Sequence, residues 1–301
     1  MPNRLLLMAS ESKRLERAVS TNRLTRPIVQ RYVAGTRLDD ALEVAGELHD
    51  KGIEVSLDLL GESVSDLAES ESATSDYLTA IDRMSRLSPR PTISVKLSQL
   101  GVSVDPATCE KNLRRLLEAA RERGCMVEVD MEHSSVGRET LAIFRRVQGE
   151  FPQTRLAVQA YLRSTLHDLA DFEIPPRIRL VKGAFDEGRD LAIRNAHDVT
   201  AQYDYLSTWA LQHLPDPAFG THDDACIEHV KRVARESGLG MRDFEFQMLH
   251  GVRTSLQEQL VREGYRVRVY LPYGEQWYPY LTRRMAERPA NLLLFVRSLV
   301  R

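Results

Sequence analysis

The sequence predicts an α/β fold closed as an eight-stranded (β/α)8 barrel, and three observations carry that prediction. Short apolar, β-branched runs recur eight times along the 301 residues. Between them lie polar–apolar stretches whose apolar residues fall at the three-and-four spacing of a helix buried on one face. No GxGxxG follows any run, which counts against an open dinucleotide-binding sheet. Strands alternating with helices of this length imply βαβ units and parallel pairing, and eight such units favour closure.

The runs, in order, are EVSLDLL (54–60), TISVKLSQL (92–100), CMVEVDME (125–132), RLAVQAYL (155–162), RIRLVKGAF (177–185), AFGTHDD (218–224), FEFQML (244–249) and RVRVYLPY (266–273). Helical stretches separate them. In LDDALEVAGELHDKG, Leu38, Ala41, Leu42, Ala45 and Leu48 share one face, and Gly52 ends the pattern. CEKNLRRLLEAARERG stops in the same way at Gly124. Residues 1–37, ahead of the first unit, are expected to add one or more helices. No Pro/Gly/Ser-rich linker divides the chain, so residues 1–301 are expected to form a single barrel domain.

Composition narrows the function classes. The chain is 43% hydrophobic and 28% charged, with a formal net charge of -2 and its basic residues interleaved with acids. That balance excludes the basic stripe of a nucleic-acid binder. Cys109, Cys125 and Cys226 share no metal-ligand spacing, and unlinked thiols in a reducing compartment are the simpler expectation. The apolar run in MPNRLLLMASESKR is too short for the core of a signal peptide, and no stretch approaches the roughly 18 apolar residues of a spanning helix. A cytoplasmic protein is expected, with peripheral contact at the inner face of the membrane compatible with the sequence.

Active sites of such barrels lie at the C-terminal ends of the strands, so the polar residues there are informative. The run ends supply Lys96 and Ser98, Asp130 and Glu132, Gln159 and Tyr161, and Arg179 and Lys182. Later runs supply Thr221, His222 and Asp223, Gln247 and His250, and Tyr270 and Tyr273. Barrel interiors are expected to be branched and aliphatic, and buried unpaired charge is costly. Any one of these residues is explained equally well by a solvated loop or a structural ion pair; the set together points to a site. Its mixed charge points to a large ligand with phosphates and polar ring edges, plus a second, anionic substrate. Asp130 and Glu132 share a strand face, but no His or Asp stands at metal-ligand spacing, so no metal is expected.

Near the C-terminus Arg283 and Arg284 stand side by side, with Glu287 at i+4 and i+3 from them. Adjacent helical residues point about 100° apart, so both guanidinium groups reach one ligand only by straddling it. Such forks clamp carboxylates well, and Glu287 is placed to orient them. A solvated basic turn at a helix end explains the same spacing.

Taken together, SVKLSQLG, VEVDMEHS, AVQAYL, RLVKGAF, GTHDD, FEFQMLHG and VYLPYG…YLTRRMAERPAN resemble the proline dehydrogenase family, in order and over nearly the whole barrel. The ending of the chain resembles the small monofunctional form. The resemblance implies a TIM-type barrel that holds FAD non-covalently and oxidises L-proline to Δ1-pyrroline-5-carboxylate, the hydride passing from ring C5 to flavin N5. It implies that Arg179, Lys96 and Asp130 are catalytic, with Arg179 beside N5. Lys96, Tyr270, Arg283, Arg284 and Glu287 would bind the substrate. Asp130, Met131, Gln159, Arg179, Val181, Lys182, Gly183, Ala184, Thr221, His222, Asp223 and Gln247 would hold the cofactor. The last helix, around Trp277 to Met285, would cap the barrel mouth.

The resemblance also implies a quinone acceptor, transient contact with the membrane and with a pyrroline-5-carboxylate dehydrogenase, and a preference for proline over hydroxyproline set by Tyr270. Two departures stand out: Phe185 where the family often has tyrosine, and Asp223 where some relatives have asparagine. Alternatives are a methylenetetrahydrofolate reductase-like flavin barrel, a Schiff-base lyase using Lys96 or Lys182, and a barrel that binds without turnover.

Overall fold

The computed structural model describes residues 26–61 and 63–286, with the backbone alone for 26–28 and 283–286. Each of the eight runs contains one strand: β1 (Glu54–Leu59), β2 (Thr92–Val95), β3 (Met126–Val129), β4 (Arg155–Gln159), β5 (Arg177–Val181), β6 (Ala218–Gly220), β7 (Glu245–Leu249) and β8 (Arg266–Tyr273). They pair in chain order, all parallel, and β8 closes onto β1 from Glu54↔Arg268 to Leu59↔Tyr273. The strand at 92–95 is shorter than its run because the backbone leaves the ladder for a tight turn. There the amides of Leu100 and Val102 both bond to the carbonyl of Leu97.

The helices are α1 (Arg26–Tyr32), α2 (Leu38–Asp50), α3 (Leu67–Met84), α4 (Pro106–Arg123), α5 (Ser134–Gln148), α6 (Thr165–Ala170), α7 (Ala196–His213), α8 (Asp224–Glu236), α9 (Thr254–Arg262) and α10 (Trp277–Ala286). Their starts follow capping chemistry. Asp66 accepts the Glu69 amide at 2.8 Å, and Asp105 accepts the Thr108 amide at 3.1 Å with Pro106 in the first turn. The α4 helix ends as expected at Gly124, which is left-handed (φ 63).

Strand alternation decides the two faces of the sheet. Val55, Leu57, Ile93, Val95, Val127, Val129, Ile178 and Leu180 point outward into one core with Tyr77, Ile81, Leu113 and Leu116 of the surrounding helices. The inner face departs from the aliphatic expectation: its lower layers are charged. Arg155, fully buried, bonds to Glu128 at 2.8 Å, Glu245 at 3.0 Å and Asp216 at 2.9 Å. Arg268 joins Glu245 at 2.9 Å and also pairs with Glu54. Arg177 of β5 and Arg266 of β8 also reach Asp216, which precedes β6. Charge is tolerated here because each ion faces its opposite at hydrogen-bond distance.

Part of the N-terminal extension is seen: α1 packs at the barrel mouth beside the ends of β1 and β7, and residues 1–25 lie outside the described residues. Tyr32 and Val33 pack with Leu60, Val252, Trp277, Tyr278, Tyr280 and Leu281, so α1 and α10 together form a cap at the C-terminal end of the barrel. Gly251 (φ +71) makes this close contact feasible, because a Cβ there would strike the carbonyl of Arg31. No helix among the described residues is long and apolar enough to cross a membrane.

Acid is expected to weaken this assembly in two stages. Burial lowers His250, whose neighbour across the cap is the backbone of Gln30, from 6.5 to about 4. The unfolded chain therefore takes up this proton first, and stability falls as pH drops from about 6.5 towards about 4. Glu128, Glu245 and Asp130 are opposed by burial, but neighbouring cations outweigh it and hold all three below the usual carboxylate range. Their contribution is present above about pH 4 and is lost as pH falls through the depressed folded values. Urea midpoints followed across this range should show both stages. In His250→Gln the first stage should shrink to the part carried by His49, which burial also lowers; a first stage of undiminished size removes His250 as its cause.

Candidate active site

The upper inner layer of the barrel opens into a cavity of about 1060 Å³ at the C-terminal ends of the strands. That is at the upper end of the sizes usual for ligand pockets, and it accommodates a large cofactor beside a small substrate. Asp130 stands at the end of β3, where it joins three strands. It accepts from Ser94 at 2.6 Å and from the Tyr270 hydroxyl at 2.7 Å, and it pairs with Arg179 and with Lys96, the latter at 3.3 Å. Burial opposes its charge, but Arg179 and Lys96 outweigh that and hold the carboxyl at about 2.

Lys96 also pairs with Asp58, a β1 residue only 1% exposed. Burial works against the ammonium; the Asp58 and Asp130 carboxylates overcome it and keep Lys96 protonated well above the ordinary lysine range. The Tyr270 ring lies between two cations, 5.2 Å from the Arg179 guanidinium carbon and 6.0 Å from the Lys96 nitrogen. Burial and the neighbouring Asp130 keep its hydroxyl neutral.

Arg179 reaches down as well as across, donating to Glu128 at 3.1 Å and to Gln247 Oε1 at 3.3 Å. Around the rim, Gln159 Nε2 donates to the Glu132 carbonyl at 3.1 Å. The Glu132 carboxylate accepts from the amide and hydroxyl of Ser98, yet burial dominates and raises it. Lys182 pairs with Asp223 at 2.7 Å, and the same Asp223 caps α8 through the Ala225 amide at 3.0 Å. His222 Nε2 accepts the Leu249 amide at 2.8 Å, which ties β7 to the loop after β6. Gly183 (φ +110) has no room for a Cβ, which would enter the Tyr161 ring. The backbone after β5 thereby turns into the cavity.

The sequence-predicted residues are largely brought together. Lys96, Asp130, Met131, Gln159, Arg179, Val181, Lys182, Gly183, Ala184, Thr221, His222, Asp223, Gln247 and Tyr270 all line the cavity, as does Phe185. Arg283 and Arg284 lie on α10 with only their backbone described, and Glu287 is outside the described residues. Among the described residues, no group of three or more His, Cys, Asp or Glu side chains is placed to hold a metal ion. Cys109, Cys125 and Cys226 are buried thiols. Two acidic residues tied to the site were not picked out by the sequence reading: Asp58, which lines the cavity, and Glu128, which lies beneath it against Arg179. Glu128 was legible in principle: two residues before Asp130, it lies on the same strand face.

Chemically, this is a water-poor end wall with fixed cations and ionised carboxylates, able to stabilise charge that develops on a bound ring. The wall continues into a rim of glycine backbone, Lys182 and hydroxyl or amide groups suited to an extended polar ligand. Residues 41–294 match the profile of the family described as proline dehydrogenase. The chain is 37% identical over 283 residues to the proline dehydrogenase of Deinococcus radiodurans, covering 91% of this chain and 90% of that protein. It is 33% identical over 278 residues to proline dehydrogenase 2 of Bacillus subtilis, covering 92% of each. Its fold also matches proline utilization A of Bdellovibrio bacteriovorus, a structure inactivated by N-propargylglycine. That match has a TM-score of 0.82 and 23% identity, over 89% of this chain and 33% of the larger one. With its closed parallel barrel and a match of this extent, the chain belongs to the proline dehydrogenase family of oxidoreductases.

Proposed function

We propose that the protein oxidises L-proline to Δ1-pyrroline-5-carboxylate with a non-covalently held FAD, which a quinone then reoxidises. One observation carries this reading: the joined Lys96–Asp130–Tyr270–Arg179 cluster at one end of a cavity large enough for a dinucleotide cofactor. When bound, the flavin supplies the hydride acceptor. The protein's part is to place it, to hold proline against it and to exclude water. Arg179 is the donor for negative charge that develops on the ring. Gln159, Gln247, Thr221 and His222 hold ring and chain, with Lys182–Asp223 along the rim.

The substrate carboxylate is assigned to Arg283 and Arg284, supported by Glu287. Both arginines stand at i+3 and i+4 from Tyr280, a residue of α10 that lines the cavity. Lys96 and Tyr270 form the facing wall. A lyase using a Schiff-base lysine is disfavoured on physical grounds, since the nucleophile must be a neutral amine. Lys96 and Lys182 are each raised, their carboxylate partners outweighing burial.

The test is the visible spectrum of the purified protein before and after L-proline is added without oxygen. The expected result is a flavin band that proline bleaches and a quinone restores. A band bleached only by a reduced nicotinamide supports the folate reductase-like alternative. Absence of flavin, even after reconstitution with FAD, overturns the reading.

A further inference from the structure

Glu128 touches nothing in the cavity, yet it holds two groups that line it. Its carboxylate is fully buried at mid-barrel, with Arg155 below and Arg179 above. Through this one residue the ion pairs of the barrel floor join those of the mouth. The joined network contains six carboxylates and six cations among the described residues, so its charge is balanced.

Glu128 also sets the orientation of Gln247. Both amide protons of Gln247 are taken by carboxylates, Glu128 Oε1 at 2.7 Å and Glu245 Oε1 at 2.8 Å. A carboxylate only accepts, so the amide has one orientation, with its NH2 towards the floor and its carbonyl oxygen towards Arg179. Ser56 completes the arrangement by donating to Glu128 Oε2 at 3.0 Å, the oxygen that Arg179 also uses.

We propose that Glu128 is a positioning residue. It locks Arg179 and Gln247 in a single orientation towards the cavity, and it supplies the negative charge that offsets Arg179 and so limits how strongly the site favours reduced flavin. This rests on the flavin reading above. The two are separable, because the present proposal concerns how strongly a bound flavin holds electrons and the other concerns whether one binds and reacts with proline.

The experiment is the midpoint potential of the FAD-loaded protein, with thermal stability and steady-state proline kinetics alongside. Glu128→Gln keeps the shape and removes one negative charge beneath Arg179. It is expected to favour the two-electron-reduced flavin by about tenfold, a positive shift of about 30 mV. kcat should change while KM for proline stays near the wild-type value. Glu128→Asp, which retains the charge, is expected to stay within about threefold of the wild-type balance, which is about 14 mV by the same conversion.

Should Glu128→Gln not fold, Ser56→Ala leaves every charge in place and removes one donor to the same oxygen. With Glu128 less well compensated, it is expected to shift the balance the opposite way, by roughly twofold. A potential unchanged from wild type in Glu128→Gln, or in Ser56→Ala where Glu128→Gln does not fold, overturns the proposal and leaves Glu128 a purely structural ion. If wild-type protein binds no flavin, the proposal falls together with the reading it rests on. If proline bleaches the flavin while the potentials coincide, only the role of Glu128 falls.

Discussion

Replacing Arg155 by methionine is expected to remove about 3–5 kcal/mol of stability, the usual consequence of breaking buried ion pairs by removing one partner. Arg155 is fully buried and shared between Glu128 and Glu245, with Asp216 as a third acceptor. Methionine matches much of its length but removes one cation from a buried network, leaving Glu128 with Arg179 and Glu245 with Arg266 and Arg268 and the network one negative charge in excess. Against a total stability of about 5–15 kcal/mol this is a large fraction. Urea unfolding should show a lower midpoint with little change in slope. Adding Glu245→Gln to Arg155→Met should recover part of the loss, because it restores the charge balance of the buried network. A loss below about 1 kcal/mol, or no recovery in the double variant, would show that the floor is not held by these ion pairs.

Replacing Arg179 by methionine is expected to lower kcat for proline by about 10²- to 10³-fold, the range typical for loss of one preorganised donor to developing charge. KM should change much less, since the proposed carboxylate clamp lies on α10 rather than on β5. Burial opposes the Arg179 charge, but Asp130 and Glu128 outweigh it and hold the guanidinium above even the ordinary arginine range. It is therefore a fixed cation at every working pH. Steady-state kinetics give both parameters, and anaerobic single-turnover reduction over a range of proline concentrations shows whether the loss lies in the chemical step or in binding. If KM rises and kcat is retained, Arg179 belongs to substrate binding and not to stabilisation of the reduced ring.

Much of the fold was legible because barrel strands and their helices obey local periods. All eight strands fall inside apolar runs, and Gly124 stops α4 where the helical pattern ends. The candidate cofactor residues were legible because parallel barrels place strand ends at one mouth, so a linear list of run ends becomes a ring. Asp58 was passed over because its run, EVSLDLL, finishes in leucines. Only its pairing with Lys96, 38 positions further along the chain, shows that it faces the site. The charged floor ran against the aliphatic expectation for the same reason. Arg155 and Glu245 open their strands and Arg268 is the third residue of its own, and only closure of the barrel brings Arg155 and Arg268 onto Glu245.

The sequence by itself determined the order and kind of elements, the closed parallel barrel and the family, because these follow from short-range periodicity and from motifs read along the chain. The tertiary structure decided which charges are partners, which are buried, and which amide or guanidinium is held in one orientation. Those properties depend on distances between residues far apart in the chain, and the energy of a charge is set by what lies a few ångströms away after folding.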